Sequence, residues 1–175
     1  MENHLTTNLH ASALSSNVTQ WKGWPVLAHS ARTAVAAVIS LQAARLFLLP
    51  EAYWAPVTTL VITQSSLGAA LRVSWQRFAG TALGALVGAI VANYFGPSFL
   101  IFGASVFVVG LFCAVPQLDR SAYRFAGVTL AIVMLVPRAD PAWRIAFHRF
   151  AEVSIGIAVA LILAWVWPEK EASIA

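Results

Sequence analysis

Charged residues are scarce in this sequence. Asp, Glu, Lys and Arg make up only 10% of it, against about 25% in an average soluble domain. The single cysteine, Cys113, excludes an intrachain disulfide and a cysteine-rich metal site. H-E-x-x-H, G-x-S-x-G, P-loop and dinucleotide-binding motifs are all missing. The sequence therefore argues against a soluble domain and against an enzyme, and we expect no cofactor and no metal.

Long apolar segments make up most of the chain, which has 175 residues and is 59% hydrophobic. A helix needs about 20 mainly apolar residues to cross a bilayer. The pattern predicts an all-α membrane protein with six transmembrane helices, at residues 29–49, 54–67, 78–95, 98–115, 125–136 and 147–167. We expect one transmembrane domain over residues 25–168, between polar cytoplasmic tails at residues 1–24 and 169–175.

Two of the six segments, 54–67 and 125–136, are short for a bilayer crossing. In secondary transporters, short or polar helices at matching positions of two halves indicate a binding site near the membrane midplane. On a helix over residues 54–67, Thr59, Thr63 and Ser66 share one face, where their hydroxyls could bind a substrate. Two alternatives stay open: helix ends that lie a few residues elsewhere, and hydroxyls that bond to carbonyls of their own helix.

Basic residues stand singly at the ends of the apolar segments. Single basic residues at helix ends typically set the orientation of a helix in the membrane. They do not form the basic patch that a nucleic acid would bind. With the amino terminus in the cytoplasm, seven Lys and Arg residues lie on the cytoplasmic side and four on the outer side, so the positive-inside rule favours that orientation. The seven are Lys22, Arg32, Arg72, Arg77, Arg120, Arg124 and Lys170, and the four are Arg45, Arg138, Arg144 and Arg149.

An internal repeat relates the third predicted helix to the sixth. Arg77-Phe78-Ala79 with Gly84 recurs 72 residues later as Arg149-Phe150-Ala151 with Gly156. Each repeat then contains three helices. Because an odd number of crossings reverses the direction of the second copy, the sequence predicts two inverted three-helix repeats, an arrangement that many secondary transporters use.

Three sequence elements together resemble the signature of the fusaric acid resistance protein-like family, which overlaps the aromatic acid exporters. They are Tyr53-Trp54-Ala55-Pro56 with the residues up to Ile62, the segment Gln64 to Ala69, and the segment Gln76 to Gly84. The resemblance covers residues 32–167 and implies a helical transporter domain of the bacterial inner membrane that exports aromatic carboxylic acids and uses the proton gradient. Larger relatives carry a cytoplasmic domain and often two membrane halves, whereas eight residues follow Trp167 here.

Small residues on the third and sixth predicted helices predict close helix packing. Gly80, Gly84 and Gly88 form G-x-x-x-G-x-x-x-G, and Gly156 repeats the theme. Small side chains let helix backbones approach in a membrane, where lipid supplies no hydrophobic drive. The packing partner is either another helix of the same chain or a second copy.

Glu152 is the only acid within a predicted crossing segment. A charge near the bilayer centre costs about 2.5–3.5 kcal/mol on the insertion scale, so it needs a partner, water or a proton. Arg149 and His148 are three and four residues earlier on the same helix face, and Arg45 is a third candidate partner. One interpretation is a structural ion pair. In the other, Glu152 changes protonation as Arg149 alternately holds it and a substrate carboxylate, which would couple proton entry to anion exit.

The sequence supports two functional hypotheses. The leading hypothesis is a multi-pass secondary transporter of the bacterial inner membrane, or a subunit of one, that exports organic anions, with Arg77 and Arg149 near the two ends of the bundle attracting the carboxylate. The alternative is a small membrane module that moves nothing itself and assembles with other efflux components, which the short tails suggest. We expect a homodimer of the transporter, because six short helices enclose only a narrow path.

Overall fold

The computed structural model describes residues 23–63, 66–96, 98–114, 120–136 and 140–167. These residues form helices and no strand. Apart from Gly23 and Trp24, the predicted tails at residues 1–24 and 169–175 lie outside the described residues. The helices are α1 (Gly23–Leu46), α2 (Trp54–Ile62), α3 (Leu67–Tyr94), α4 (Phe99–Ala114), α5 (Arg120–Leu135) and α6 (Ala142–Val166).

Internal contacts divide the chain into two units, residues 1–31 and 32–175, with the boundary inside α1. The described part of the first unit is the first turns of α1, where Val26 and Leu27 are exposed. The second unit contains the rest of α1 and the other helices. Within it, Ala36, Ser40 and Ala44 are fully buried at a spacing of four residues, so one face of α1 is covered.

Helix α3 is the centre of the second unit, since it packs against α2, α4, α5 and α6. It runs antiparallel to α6. Phe78 contacts Phe150, with ring centroids 5.0 Å apart, while Ala70 near the start of α3 shares a core cluster with Ala160 near the end of α6. Later residues of α3 pack against earlier residues of α6, as Ala85 does against the first turns of that helix.

Helices α3 and α5 run parallel and in close contact. A Cβ atom added at Gly80 would overlap the carbonyl oxygen of Ala122, and one at Gly84 would overlap that of Ala126. At Gly88 it would lie 3.1 Å from Cβ of Val133. The glycines therefore set how near the two backbones come.

Helices α2 and α6 make the corresponding parallel pair. A Cβ atom added at Gly156 would overlap the carbonyl oxygen of Ala55, so this glycine also faces backbone. Further along the two helices, Ile62 and Ala160 lie in one core cluster. Thus α3 packs on α5 as α6 packs on α2.

The boundary between the second and third predicted helices was wrong. Helix α2 ends at Ile62 because Thr63 adopts an extended conformation (φ −60°, ψ 102°). Helix α3 begins at Leu67, where Ser66 is the N-cap and its side chain accepts a hydrogen bond from the Ala69 amide. Residues 68–77 were predicted to lie between these two helices. They are helical, and α3 buries its polar side chains Ser74, Gln76, Arg77 and Thr81.

Two of the described helices are long and apolar enough to cross a membrane by length and composition, at Val26–Leu46 and Ala142–Val166, and Phe99–Ala114 is a shorter apolar helix. Helix α2 has 9 residues, which gives it a length of about 13 Å, well short of a hydrocarbon core of about 30 Å. Large apolar side chains cover the outside of the second unit; Phe99, Leu100 and Trp165 are each at least 75% exposed.

Candidate functional site

A buried ion pair lies on α6. Arg149 Nη1 donates to Glu152 Oε2 at 3.2 Å, and the side chains are 3% and 0% exposed. The spacing of three residues places both on one face of the helix, which is why the sequence predicts that they can meet. A buried carboxylate of this kind is held in place only by partners that compensate its charge.

A second carboxylate, Glu51, reaches the same guanidinium from the segment before α2. Its Oε2 lies 3.6 Å from Arg149 Nη1. Its backbone amide donates to Glu152 Oε1 at 3.2 Å, although the two residues are 101 positions apart in the chain. Sequence reasoning missed Glu51, because an acid beside Pro50 in a turn between two helices resembles ordinary exposed polar sequence. Its position directly before the Tyr53-Trp54-Ala55-Pro56 element is the one available signal.

Trp54 completes the surroundings of Arg149. The centroid of its ring lies 3.9 Å from Arg149 Cζ, a cation–π contact. Its indole Nε1 donates to Glu51 Oε2 at 3.1 Å. Arg149 is thus bounded by two carboxylates and an aromatic face, while its buried Nε has no hydrogen-bond partner among the described residues.

Arg77 is the second buried guanidinium of the bundle, at 8% exposure. Its Nε donates to Thr58 Oγ1 at 3.2 Å, and its Cζ lies 4.7 Å from the centroid of the Phe125 ring. Its charge interacts with that of Arg149. Among the described residues, no Asp or Glu side chain forms a salt bridge with Arg77. Among these residues, Arg149 therefore has two acidic neighbours and Arg77 has none.

The expectation that these arginines lie near the ends of the bundle was wrong. Arg77 is the eleventh residue of the 28-residue α3, and Arg149 is the eighth of the 25-residue α6. Their neighbours Phe78 and Phe150 meet where these two helices cross. The earlier start of α3 moves Arg77 inside the helix, so both charges belong to the interior of the bundle.

The hydroxyls predicted to share a face of the second helix bond to backbone groups instead. Thr59 Oγ1 lies 3.1 Å from both the Ala55 and the Gly156 carbonyl oxygens, and Thr63 Oγ1 donates to the Thr59 carbonyl at 2.8 Å. Ser66 lies beyond the end of α2 and caps α3. The prediction that Ser66 shares a helix face with Thr59 and Thr63 was therefore wrong, because α2 ends at Ile62. Thr59 joins α2 to α6 at Gly156.

The described residues contain no group of three or more His, Cys, Asp or Glu side chains that could hold a metal ion. What the site offers is two guanidinium groups, each against an aromatic ring, and two carboxylates next to one of them. These groups can bind an organic anion and exchange a proton.

The described residues form an all-α bundle with two helices of membrane-crossing length and large apolar side chains on its outside, features that favour a membrane protein. The chain belongs to the fusaric acid resistance protein-like family, whose sequence profile matches residues 31–163. This agrees with the resemblance seen in the sequence.

Curated relatives are similar over most of this chain. Inner membrane protein YeeA of Escherichia coli K12 is 29% identical over 152 residues, which is 82% of this chain and 42% of the relative. Uncharacterized transporter YdhK of the same strain is 25% identical over 164 residues, 89% of this chain and 24% of the relative. The chain therefore spans less than half of the length of either. No solved structure matches it significantly.

Proposed function

We propose that the chain is a secondary transporter of the bacterial inner membrane, or a subunit of one, that exports small organic anions, in particular aromatic carboxylic acids. The observation that carries the proposal is the pair of buried guanidinium groups, Arg77 on Phe125 and Arg149 on Trp54. The family and the names of the relatives support transport over enzymatic activity.

The chemistry of the site suits an aromatic carboxylate. A guanidinium group binds a carboxylate through two parallel hydrogen bonds, and an aromatic ring beside it packs against the ring of the ligand. Arg77 lacks an acidic partner among the described residues, so an incoming carboxylate would compensate its charge. The proposed anion-binding residues are Arg77 and Arg149. The hydroxyls that the sequence suggested for this role all bond to backbone groups; they belong to Thr59, Thr63 and Ser66.

The proposed architecture is six helices in two inverted three-helix repeats, with a cytoplasmic amino terminus, in which α2 is too short to cross the bilayer by itself. Two pairs of contacts support the repeat. Gly84 faces the Ala126 carbonyl as Gly156 faces the Ala55 carbonyl, and Arg77 stacks on Phe125 as Arg149 stacks on Trp54. Helices α3 and α6 run antiparallel. A two-fold axis that relates them is therefore perpendicular to both helices, as an inverted repeat requires. With this axis in the membrane plane, the guanidinium groups of Arg77 and Arg149 lie near the middle of the membrane.

Glu152 is the proposed coupling residue. Its carboxylate is fully buried and is bonded to Arg149 at 3.2 Å. When a substrate carboxylate occupies Arg149, Glu152 loses that partner, and protonation then removes a charge that burial disfavours. Substrate binding and protonation are linked in this way, which makes the transport proton-coupled.

Transport assays test the proposal. Cells that overproduce the chain should accumulate less p-hydroxybenzoate or fusaric acid than cells that lack it, and Arg77→Gln should abolish the difference. Arg144→Gln is the matched control, because Arg144 pairs with Asp140 at a half-exposed position. An unchanged intracellular level of every aromatic acid tested would refute the proposed function.

Assembly is a separate part of the proposal: a homodimer, or a complex with other efflux components. Crosslinking in native membranes, resolved by mass, counts the chains. Purified chain in liposomes that gives no flux but stably copurifies with a larger efflux protein would favour the alternative, a membrane module that moves nothing itself.

A further inference from the structure

Thr58 connects the short helix α2 to Arg77 of α3. Its Oγ1 accepts a hydrogen bond from Arg77 Nε at 3.2 Å, and its side chain is fully buried. Its carbon atoms pack against α6, where a Cβ atom added at Gly156 would lie 2.6 Å from Thr58 Cβ and 3.0 Å from its Cγ2. Thr58 is therefore fixed by α6 at the position from which it holds the guanidinium group of Arg77.

The contacts of Arg77 leave one edge of its guanidinium group for a ligand. Such a group offers a carboxylate two edges, one formed by Nε with an Nη group and one formed by the two Nη groups. Thr58 occupies Nε, so the first edge is blocked. The ring of Phe125 lies against the guanidinium group, 4.7 Å from Cζ. No oxygen of a described residue accepts a hydrogen bond from the Nη groups. A substrate carboxylate can therefore bind through both Nη groups at once.

Arg149, the equivalent arginine of the sequence repeat, is held by its opposite end. Its Nη1 donates to Glu152, and its buried Nε has no hydrogen-bond partner in the described part of the chain. Arg77 is thus fixed at Nε and Arg149 at Nη1. A hydrogen bond at Nε sets the direction of the Nη groups without occupying them, because the guanidinium group is planar and rigid.

A second threonine, Thr129, occupies the corresponding place in the other half of the chain. It follows Phe125 by four residues, as Thr58 follows Trp54, and it is also buried. Its Oγ1 donates to the Phe125 carbonyl of its own helix at 3.0 Å. The two threonines therefore share residue type, burial and position after the stacked ring, but only the hydroxyl of Thr58 contacts an arginine.

We infer that Thr58 is a positioning residue for substrate binding: by holding Nε, it keeps the two Nη groups of Arg77 directed at the substrate carboxylate. The inference rests on the proposed function and adds Thr58 to it. Without the hydroxyl, Nε becomes a buried donor with no acceptor, which costs free energy. The guanidinium group then rotates towards another acceptor, and its Nη groups turn away from the substrate. The affinity for the anion falls as a result.

Initial rates of p-hydroxybenzoate uptake into liposomes that contain the purified full chain test the inference. Thr58→Val replaces the hydroxyl with a methyl group of similar size. We expect KM to rise about tenfold, the scale of one lost hydrogen bond to a charged group, while the maximal rate stays within about twofold. Thr129→Val is the matched control and should keep the wild-type KM, because that hydroxyl bonds to its own helix.

Thr58→Ser and Thr58→Ala give a second comparison that does not need the valine variant to fold. Both lose the methyl group that faces Gly156, but only serine keeps an acceptor for Arg77 Nε. Serine should keep KM near the wild-type value, and alanine should raise it about tenfold. A merely structural role would instead lower the maximal rate and the temperature at which the monodisperse elution peak is lost, to the same extent in both variants.

The outcomes separate the inference from the proposed function. A wild-type KM in Thr58→Val or Thr58→Ala overturns the inference and leaves the proposed function standing. The same holds for an equal rise of KM in the serine and alanine variants, or for an equal rise in Thr129→Val. A wild-type chain that moves neither p-hydroxybenzoate nor any other aromatic acid refutes the proposed function, and the inference falls with it.

Discussion

Phe78 and Phe150 pack against each other where α3 and α6 cross, with their ring centroids 5.0 Å apart and their planes inclined at 57°. They occupy equivalent positions of the sequence repeat, 72 residues apart. In the proposed inverted repeat, a residue that meets its own equivalent lies next to the two-fold axis that would relate the two copies. The contact therefore ties the sequence repeat to the antiparallel packing of two helices.

The crossing predicts a short-range crosslink. In a Cys113→Ser background, Phe78→Cys with Phe150→Cys should be joined within one chain by a short bifunctional thiol reagent, because the two native rings are in direct contact. The electrophoretic mobility shift of the crosslinked chain measures this. As a control, Phe78→Cys with Trp143→Cys moves the second thiol by about two turns of α6, roughly 10 Å, and should react much less. Equal crosslinking of both pairs would contradict the crossing.

Backbone contact at Gly84 predicts strong sensitivity to a single methyl group. Gly84→Ala places a Cβ atom against the Ala126 carbonyl, so α3 and α5 must separate. We expect a loss of about 1–3 kcal/mol, the usual cost of overpacking. Gly127→Ala is the matched control, because no atom lies within 4 Å of its added Cβ. The temperature at which the detergent-solubilised chain loses its monodisperse elution peak compares them, and equal temperatures would exclude tight packing at Gly84.

Replacement of Arg149 by lysine should impair substrate binding although the positive charge is kept. Lysine lacks the planar group that stacks on Trp54 and faces two carboxylates. We expect KM for p-hydroxybenzoate to rise about tenfold, equivalent to about 1.4 kcal/mol. Arg144→Lys at the half-exposed pair should leave KM unchanged. If both variants transport with the wild-type KM, Arg149 does not contact the substrate.

Glu152→Gln tests the coupling residue directly. The amide keeps the size of the side chain, and its oxygen can still accept from the Glu51 amide, so the fold should be retained. Removal of the ionisable group should lower the export rate and flatten its pH dependence, while Asp140→Asn should alter neither. Export rates over a range of external pH provide the measurement. A folded Gln variant with the wild-type rate and pH profile would identify Glu152 as a structural partner only.

The sequence by itself determined the features that depend on composition and on local spacing. Apolar segments specify helices and a membrane environment wherever they occur. The proximity of Arg149 and Glu152 follows from the pitch of one helix. Glycines at four-residue intervals indicate close helix packing, and the structure places Gly80 and Gly84 against backbone of α5. The signature around Trp54 identifies the family without any coordinates.

The tertiary structure decided how distant segments complete the site. Glu51 contacts Glu152 across 101 positions of chain, and no local pattern encodes such a contact. Arg77 and Gln76 resemble polar flanks in a hydropathy profile, yet both are buried within α3, because neighbouring helices cover that face. Ser66 ends up as a cap because the chain turns at Thr63. Burial of a polar residue depends on which helices pack around it, and only the folded chain specifies those neighbours.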